Sequence, residues 1–163
     1  MAQVKFIDSS DFEMVIAKAI DKYPEIAEKC LAAGAAIIAD EMKKRLRSVL
    51  SPFATGELVE AFGITPTKRD RDGNLNVHIG FDGYQQPPQK GFPVGVPFQL
   101  IARSFESGAV IGKRAKRGKI STGESYWRTP MPFAAPAVRA TRARAFEEMK
   151  RVAETELEKL DRR

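Results

Sequence analysis

Three side chains in this sequence are of types that can act as a nucleophile, a base or an acid: a thiol, an imidazole and one distinctive carboxylate. Cys30 lies in an apolar stripe with no identifiable basic partner, which indicates a small core residue rather than a nucleophile. His78 is the only histidine and falls on the polar side of a predicted strand, which favours a solvent-facing role over a catalytic base. Glu106, beside Phe105 and Gly108, is interpreted as a helix-end acid that accepts hydrogen bonds from nearby backbone.

The known catalytic and cofactor motifs are absent. The sequence contains no Gly-x-x-x-x-Gly-Lys-Ser/Thr loop, no Gly-x-Gly-x-x-Gly, no His-Glu-x-x-His and no Cys-x-x-Cys. We therefore predict a protein that is not an enzyme and that holds no cofactor and no metal. An enzyme without a familiar signature, such as a nuclease or a toxin-like factor, is kept as an alternative.

Composition indicates a folded, soluble protein with a basic C-terminal part. Of the 163 residues 43% are hydrophobic and 29% are charged, which are ordinary globular values. Residues 112–163 hold 14 Lys/Arg and 7 Asp/Glu, so they carry the excess behind the net charge of +6. A lone cysteine fits a reducing, intracellular origin. We see no signal peptide and no apolar run near the ~18 residues of a membrane span.

The most basic stretch is 112–119, where five cations fall within eight residues. Self-repulsion and flanking glycines predict a flexible basic loop over 109–128. Two interpretations stay open: a phosphate contact with DNA or RNA, with Tyr126 and Trp127 as adjacent rings, or a loop that becomes ordered only within an assembly.

Two long helices are predicted to carry the fold. A capping box at 10–13 begins a first helix that reaches Lys22, and an apolar stripe then predicts a second helix from Pro24 to Leu50. Small residues at 32–36 predict a close crossing of that helix by the terminal helix or the sheet. The terminal helix is predicted over 137–160, with Pro136 in its first turn, and we expect it to dock on the sheet of its own domain.

The middle of the chain predicts a β-hairpin and a long loop. Alternation over 62–67 and 75–82 indicates two half-buried strands, joined by an Asp-Gly turn at 71–74. Residues 83–98 are rich in proline and glycine and predict a loop; a short helix or strand follows over 98–105. The predicted fold is thus a single α+β domain, 1–163, in which long N-terminal and C-terminal helices pack on a small antiparallel sheet with long flexible loops.

Three segments, together with the long N-terminal helix and the hairpin, resemble a known family. In chain order the features are the long helix, Thr55-Gly56-Glu57-Leu58, the hairpin, 101–108 with its Glu-x-Gly, and Met131-Pro132-Phe133-Ala134-Ala135-Pro136-Ala137. This order is similar to that of the tail-completion, or head-tail joining, proteins of long-tailed bacteriophages and prophages, including minor tail protein Z-like sequences. The similarity covers about residues 12 to 160. Ile101 departs from the aromatic that is common at that position, and the basic insertion at 109–128 is unusually long.

The resemblance implies a non-enzymatic virion component of the neck, made in the host bacterial cytoplasm. Its partners would be the head-tail connector or adaptor and the tail-tube or tail-terminator proteins, with no membrane contact. The protein would form a ring in the virion, which needs a heterologous interface. It would be monomeric or weakly associated alone, because the proline-rich loop 83–98 and the basic loop 112–119 are expected to become ordered on docking, at a cost in entropy. In a second hypothesis the basic loop faces the DNA channel or an acidic rim of a partner protein. The candidate interaction residues are Pro87, Pro88, Phe92, Lys113, Arg114, Lys116, Arg117, Trp127 and Phe133.

Two other functions remain open at this point. A tail-terminator protein of the same tail module shares the size and the α+β class. A basic nucleic-acid-binding protein would use the same positively charged C-terminal part.

Overall fold

The structure is a computed structural model that describes residues 24–51, 56–88, 91–112 and 125–161. Its fold is α+β, as predicted: two long helices and two short ones accompany small antiparallel strand pairs. The predicted helix over 10–22 lies outside the described residues. In chain order the elements are α1 (Pro24–Val49), α2 (Glu57–Glu60), β1 (Phe62–Ile64), β2 (Lys68–Arg69), β3 (Leu75–Asn76), β4 (Ile79–Phe81), β5 (Tyr84–Gln85), β6 (Val96–Pro97), α3 (Phe98–Ser107), β7 (Ala109–Gly112), β8 (Ser125–Arg128) and α4 (Ala134–Asp161).

Helix α1 begins at Pro24, as the apolar stripe predicted, and ends at Val49, one residue before the predicted end. Pro24 occupies the first turn, where a missing N–H costs no hydrogen bond. Its 26 residues correspond to about 39 Å at 1.5 Å per residue. The predicted stripe is mostly buried: Ala27, Cys30, Gly34, Ala35, Ile38, Met42 and Leu46 all face the interior.

Helices α1 and α4 form an antiparallel pair. The Nζ of Lys29, near the start of α1, lies 2.5 Å from a carboxylate oxygen of Glu156, near the end of α4. The predicted close crossing is present at Gly34, where an added Cβ would lie 2.6 Å from Sδ of Met149. The absence of a side chain at Gly34 therefore lets α4 approach α1 at this point.

The principal packing partner of α4 differs from the prediction. We expected α4 to dock on the sheet, but most of its buried positions face α1, with which it shares Ile38, Leu46, Ala137 and Ala145 in one core cluster. The strand pairs contain only two to four residues per strand and are too small to cover a helix of 28 residues. The second core cluster, Ile26, Cys30, Met149 and Ala153, lies entirely between the two helices.

The predicted hairpin is confirmed but consists of two short ladders. β1 pairs with β4 and β2 pairs with β3, both antiparallel. The side chain of Asp70 accepts the N–H groups of Asp72 and Asn74 and so closes the turn. Three residues, 65–67, face only two, 77–78, between the ladders, and Pro66 has no N–H to pair there. This bulge separates the two ladders, and Ile64 at the end of β1 is exposed.

The described parts of the segment 83–98, residues 83–88 and 91–98, contain a strand pair that was not predicted. β5 pairs with β6, and the side-chain amide of Gln86 donates a hydrogen bond to the carbonyl of Val94. Gly95 has φ +112°, and a Cβ there would lie 2.4 Å from the Gln85 carbonyl oxygen, so only glycine fits. Glycine thus permits a tight strand pair where its frequency predicted a loop. For the segment that follows, a short helix or a strand was predicted over 98–105, and it is the helix α3.

Candidate interaction site

Glu106 joins the end of α3 to the beginning of α4. One carboxylate oxygen accepts the backbone N–H groups of Phe133 and Ala134 at 2.9 and 3.0 Å, and the other accepts that of Ala135 at 3.0 Å. The first N–H groups of a helix have no partner within the helix, and a negative charge at this position is also favoured by the helix dipole. Glu106 is therefore a helix-end acid bonded to backbone, as predicted, but the backbone belongs to a helix that begins 28 residues later.

Phe133 lies directly before α4 and is buried. Its side chain is 2% exposed and its ring lies edge-on to Phe81 of β4, with centroids 6.1 Å apart; Phe81 in turn contacts Phe62 at 5.2 Å. This corrects the sequence-based assignment of Phe133 to a partner-binding surface. A ring buried among other rings stabilises the domain and is not accessible to another protein.

The chain between α3 and α4 is held by further contacts. The N–H of Met131 donates to the carbonyl of Phe105 at 2.8 Å, and the guanidinium of Arg128 lies 4.5 Å from the centre of the Phe105 ring. Gly108 has φ +74°, and a Cβ there would lie 2.7 Å from the Arg128 carbonyl oxygen. We call this set of contacts the α3–α4 junction: Phe105, Glu106, Gly108, Arg128, Met131 and Phe133.

The strand pair β7–β8 projects from this junction and was predicted as part of a flexible loop. Ala109 pairs with Arg128 and Gly112 pairs with Ser125 in an antiparallel ladder of four residues per strand. The predicted loop over 109–128 thus has paired strands at its two ends, and its middle, 113–124, lies outside the described residues. Lys113, Arg114, Lys116 and Arg117 lie outside the described residues, and their predicted role in binding stays a prediction.

Trp127 is the most prominent exposed aromatic residue near the junction. It is 60% exposed, and Met131, four residues later in the chain, is 36% exposed. Trp127 lies opposite Val110 in the β7–β8 ladder, so the strand pair fixes the position of its backbone. A large aromatic side chain in this position is typical of residues that become buried against a partner.

The remaining predicted interaction residues lie on the β5–β6 side. Pro87 and Pro88 are exposed, whereas Phe92 is half-buried. The described residues of this segment include the β5–β6 strand pair. Beside it lies a cleft of about 330 Å³ lined by Glu57, Glu60, Ala61, Asp82, Tyr84, Gln86 and Phe98.

The two other chemically reactive side chains are placed as predicted. Cys30 is 1% exposed, and its burial between α1 and α4 raises the pKa of the thiol. His78 is exposed, and its backbone N–H bonds to the hydroxyl oxygen of Thr65. Within the described ranges, no three His, Cys, Asp or Glu side chains are grouped so that they could hold a metal ion.

Comparison of the chain with protein families, with curated proteins and with solved structures finds no match. Among the residues described here, no helix is both long and apolar enough to cross a membrane.

Sequence reasoning missed the partner of Glu106 and the stacking of Arg128 on Phe105. Both contacts join residues at least 23 positions apart, whereas sequence patterns reflect a few neighbouring residues. One signal was available for Glu106. The segment 130–136 begins a helix without a Ser, Thr, Asp or Asn at its start, which indicates that its first N–H groups need an acceptor from elsewhere.

Proposed function

We propose that the chain is a non-enzymatic structural protein of a phage or prophage virion. It acts at the head-tail interface as a tail-completion or neck protein and forms a ring that joins the tail to the head connector. The proposal starts from the resemblance of three segments to that family, and its strength depends on whether those segments have a common physical purpose in this chain.

The observation that carries the proposal is the hydrogen bonding between two of these segments. Glu106 of the segment 101–108 accepts three N–H groups from Phe133, Ala134 and Ala135 of the segment 132–137. The glutamate and the Pro-Phe motif thus bind each other, and their hydrogen bonds fix the start of α4. A chance similarity of two short unrelated motifs therefore accounts less well for the resemblance.

The surface of the described residues also suits a protein that works by contact. Trp127 and Met131 are exposed beside a rigid junction, and β7–β8 leads directly into the basic run at 113–119 of the sequence. An exposed aromatic side chain, followed in the sequence by a basic run on the adjoining strand connection, fits an interface with a second protein or with packaged DNA.

The test is removal of the gene from the phage or prophage that carries it. We expect filled heads and full-length tails that remain unjoined under the electron microscope, with infectivity restored when the purified protein is added to the lysate. Normal joined particles would contradict the proposal. Tails of abnormal length would instead favour the alternative role as a tail terminator.

A matched pair of variants sharpens the addition experiment. Trp127→Ala removes an exposed ring while leaving the core intact, and we expect it to lower restored infectivity at least tenfold. Tyr84→Ala removes another exposed ring, 50% exposed, away from the junction and is the control. Equal restoration by both variants would remove Trp127 from the proposed contact surface.

A further inference from the structure

Charge is distributed unevenly along the α1–α4 pair. Because the helices are antiparallel, the second half of α1 (37–49) lies beside the first half of α4 (134–146), and we call this the basic end. The first half of α1 (24–36) lies beside the second half of α4 (147–161), and we call this the acidic end. The basic end holds seven cations and two acids, whereas the acidic end holds eight acids and four cations. The formal charges are +5 and −4, with Arg162 and Arg163, outside the described residues, left out of the count.

Most of these charges face solvent. On the basic end the exposed cations are Lys44, Arg47, Arg139, Arg142 and Arg144. On the acidic end five acids are exposed, and so are all four cations. The exposed acids are Glu25, Glu28, Glu147, Glu154 and Glu158, and the exposed cations are Lys29, Lys150, Arg151 and Lys159. The pair therefore resembles a rod of about 40 Å with opposite charge at its two ends.

This pattern does not serve the stability of α4. A helix is stabilised by acids in its first turn and by cations in its last turn. α4 has no acid in its first turn, and its last turn contains Glu158 and Asp161 beside the single cation Lys159. The Glu106 carboxylate has to come from α3 to supply negative charge at the beginning of α4.

The pattern does not serve the contact between the two helices either. An antiparallel pair gains electrostatic stability when opposite charges lie beside each other, but here like charges accumulate at each end. Lys29 and Glu156 do join α1 to α4, and this ion pair lies within the acidic end. The basic end carries its net charge on exposed side chains. The net charge of the acidic end comes mainly from the half-buried Glu148 and Glu156 and from Asp161, since its exposed acids and cations nearly balance. Each end still has the formal sign that the other end would attract.

We propose that the basic end of one copy of this chain binds the acidic end of the next copy. The inference rests on the proposed assembly into a ring and assigns its two contact surfaces. We assign a second copy of the chain as the binding partner because the formal charges of the two ends are opposite and nearly equal. One contact between copies therefore accounts for both ends. A nucleic acid would use the basic end alone and would be repelled by the other.

Such a contact is heterologous, since two different surfaces meet. It generates a ring if the rotation between neighbours closes and an open filament if it does not. Ion pairs between exposed side chains are individually weak and are screened by salt. The contact is therefore weak in dilute solution and becomes effective when copies are held side by side.

The test is a charge-swap experiment on the whole chain. The basic-end variant carries Lys44→Glu, Arg47→Glu and Arg139→Glu, and the acidic-end variant carries Glu25→Lys, Glu28→Lys and Glu154→Lys. A third protein combines all six changes. The matched controls are Lys68→Glu with Arg71→Glu, and Asp72→Lys, on the exposed hairpin outside the helix pair. Circular dichroism checks that each protein is folded.

Sedimentation equilibrium measures association in salt of about 0.1 M and about 1 M, where the screening length is about 10 Å and about 3 Å. We expect wild type and the controls to associate beyond dimers at the lower salt concentration and to dissociate at the higher. Each single-end variant should associate at least tenfold more weakly. An equimolar mixture of the two, and the six-change protein alone, should associate again.

Several results would overturn the proposal. The first is that the single-end variants associate as strongly as wild type. The second is that the mixture of the two variants stays monomeric, and the third is that wild-type association stops at a dimer. The mixture is decisive even where wild-type association is weak, because one partner then has two acidic ends and the other two basic ends. Binding of duplex DNA that only the basic-end variant loses, with no self-association, would assign that end to nucleic acid instead. Gene removal tests the head-tail role separately, so a failed charge swap with unjoined heads and tails would reject only this contact.

Discussion

Replacing Glu106 should destabilise the protein more than replacing an ordinary surface acid. Glu106→Ala leaves three N–H groups at the start of α4 without their acceptor, two of them partly buried. Loss of a helix N-cap costs about 0.5–2 kcal/mol, and an unsatisfied buried donor costs about 1–3 kcal/mol. These two costs describe overlapping effects, so we expect a decrease of about 2–3 kcal/mol in the free energy of unfolding.

Glu106→Gln separates charge from hydrogen bonding. Glutamine keeps one carbonyl oxygen as an acceptor but loses the second oxygen and the charge that favours the helix N-terminus. We therefore expect an intermediate loss of about 1 kcal/mol. Glu147→Gln is the matched control, because Glu147 is exposed in the middle of α4, and its effect should lie within about 0.5 kcal/mol of zero.

Urea and thermal unfolding followed by circular dichroism measure these differences. For a chain of this size the melting temperature should fall by about 2–4 °C per kcal/mol, hence by about 4–12 °C for Glu106→Ala. Hydrogen exchange adds a local readout, since the amides of residues 133–135 should exchange faster in both Glu106 variants. Unfolding of Glu106→Ala at the same urea concentration as wild type would refute the assignment of Glu106 as the cap of α4.

Three further predictions concern the α1–α4 pair. Gly34→Ala should lower the free energy of unfolding by about 1–2 kcal/mol, because overpacking against Met149 exceeds the gain in helix propensity. Ala36→Gly is an exposed control and should lower the free energy of unfolding by only about 1 kcal/mol, through helix propensity. In a Met149→Ala background, the added methyl group at position 34 should no longer carry the cost of overpacking. Cys30 should not react with a thiol reagent at neutral pH until the protein unfolds, since the thiol is buried and its pKa is raised; reaction at the rate of a free thiol would contradict its placement. Hydrogen bonds from Lys159 and Lys29 lower the pKa of Glu156 to about 2 from 4.5, so it contributes stability above pH 4.5 that is lost as pH falls towards 2. Glu156→Gln should flatten the pH dependence of stability in that window, and an unchanged slope would show that these contacts do not form in solution.

The sequence was sufficient for the helices because their signals are local. The apolar stripe from Ala27 to Leu46 has the helical period, and the proline at position 24 marks its beginning. The close crossing at Gly34 was also predictable, since a run of small residues on a long helix lets another backbone come near. Which element would cross there was not predictable, because the small residues specify a distance and not a partner.

Proline and glycine were less reliable guides in the middle of the chain. Their frequency in 83–98 predicted a loop, yet Gly95 permits the β5–β6 pairing by allowing close approach to Gln85. Likewise, the high charge of 113–119 led to the prediction of a loop over 109–128, although Ala109–Gly112 and Ser125–Arg128 form paired strands. A few residues on each side of a biased segment are enough for a ladder, and composition averaged over a long segment does not detect them.

The α3–α4 junction and the charged helix pair act on the same end of the molecule. Glu106 and Phe133 fix the start of α4, which is part of the basic end, and β7–β8 leaves the junction beside it. Trp127 and the exposed cations of that end are thus carried by one rigid unit. A neighbour that binds the basic end would approach this unit, so mutations at Trp127 and at Arg139 should affect assembly non-additively if both contact the same neighbour. Additive effects would instead indicate two separate contacts, one with the neighbouring copy and one with a different partner.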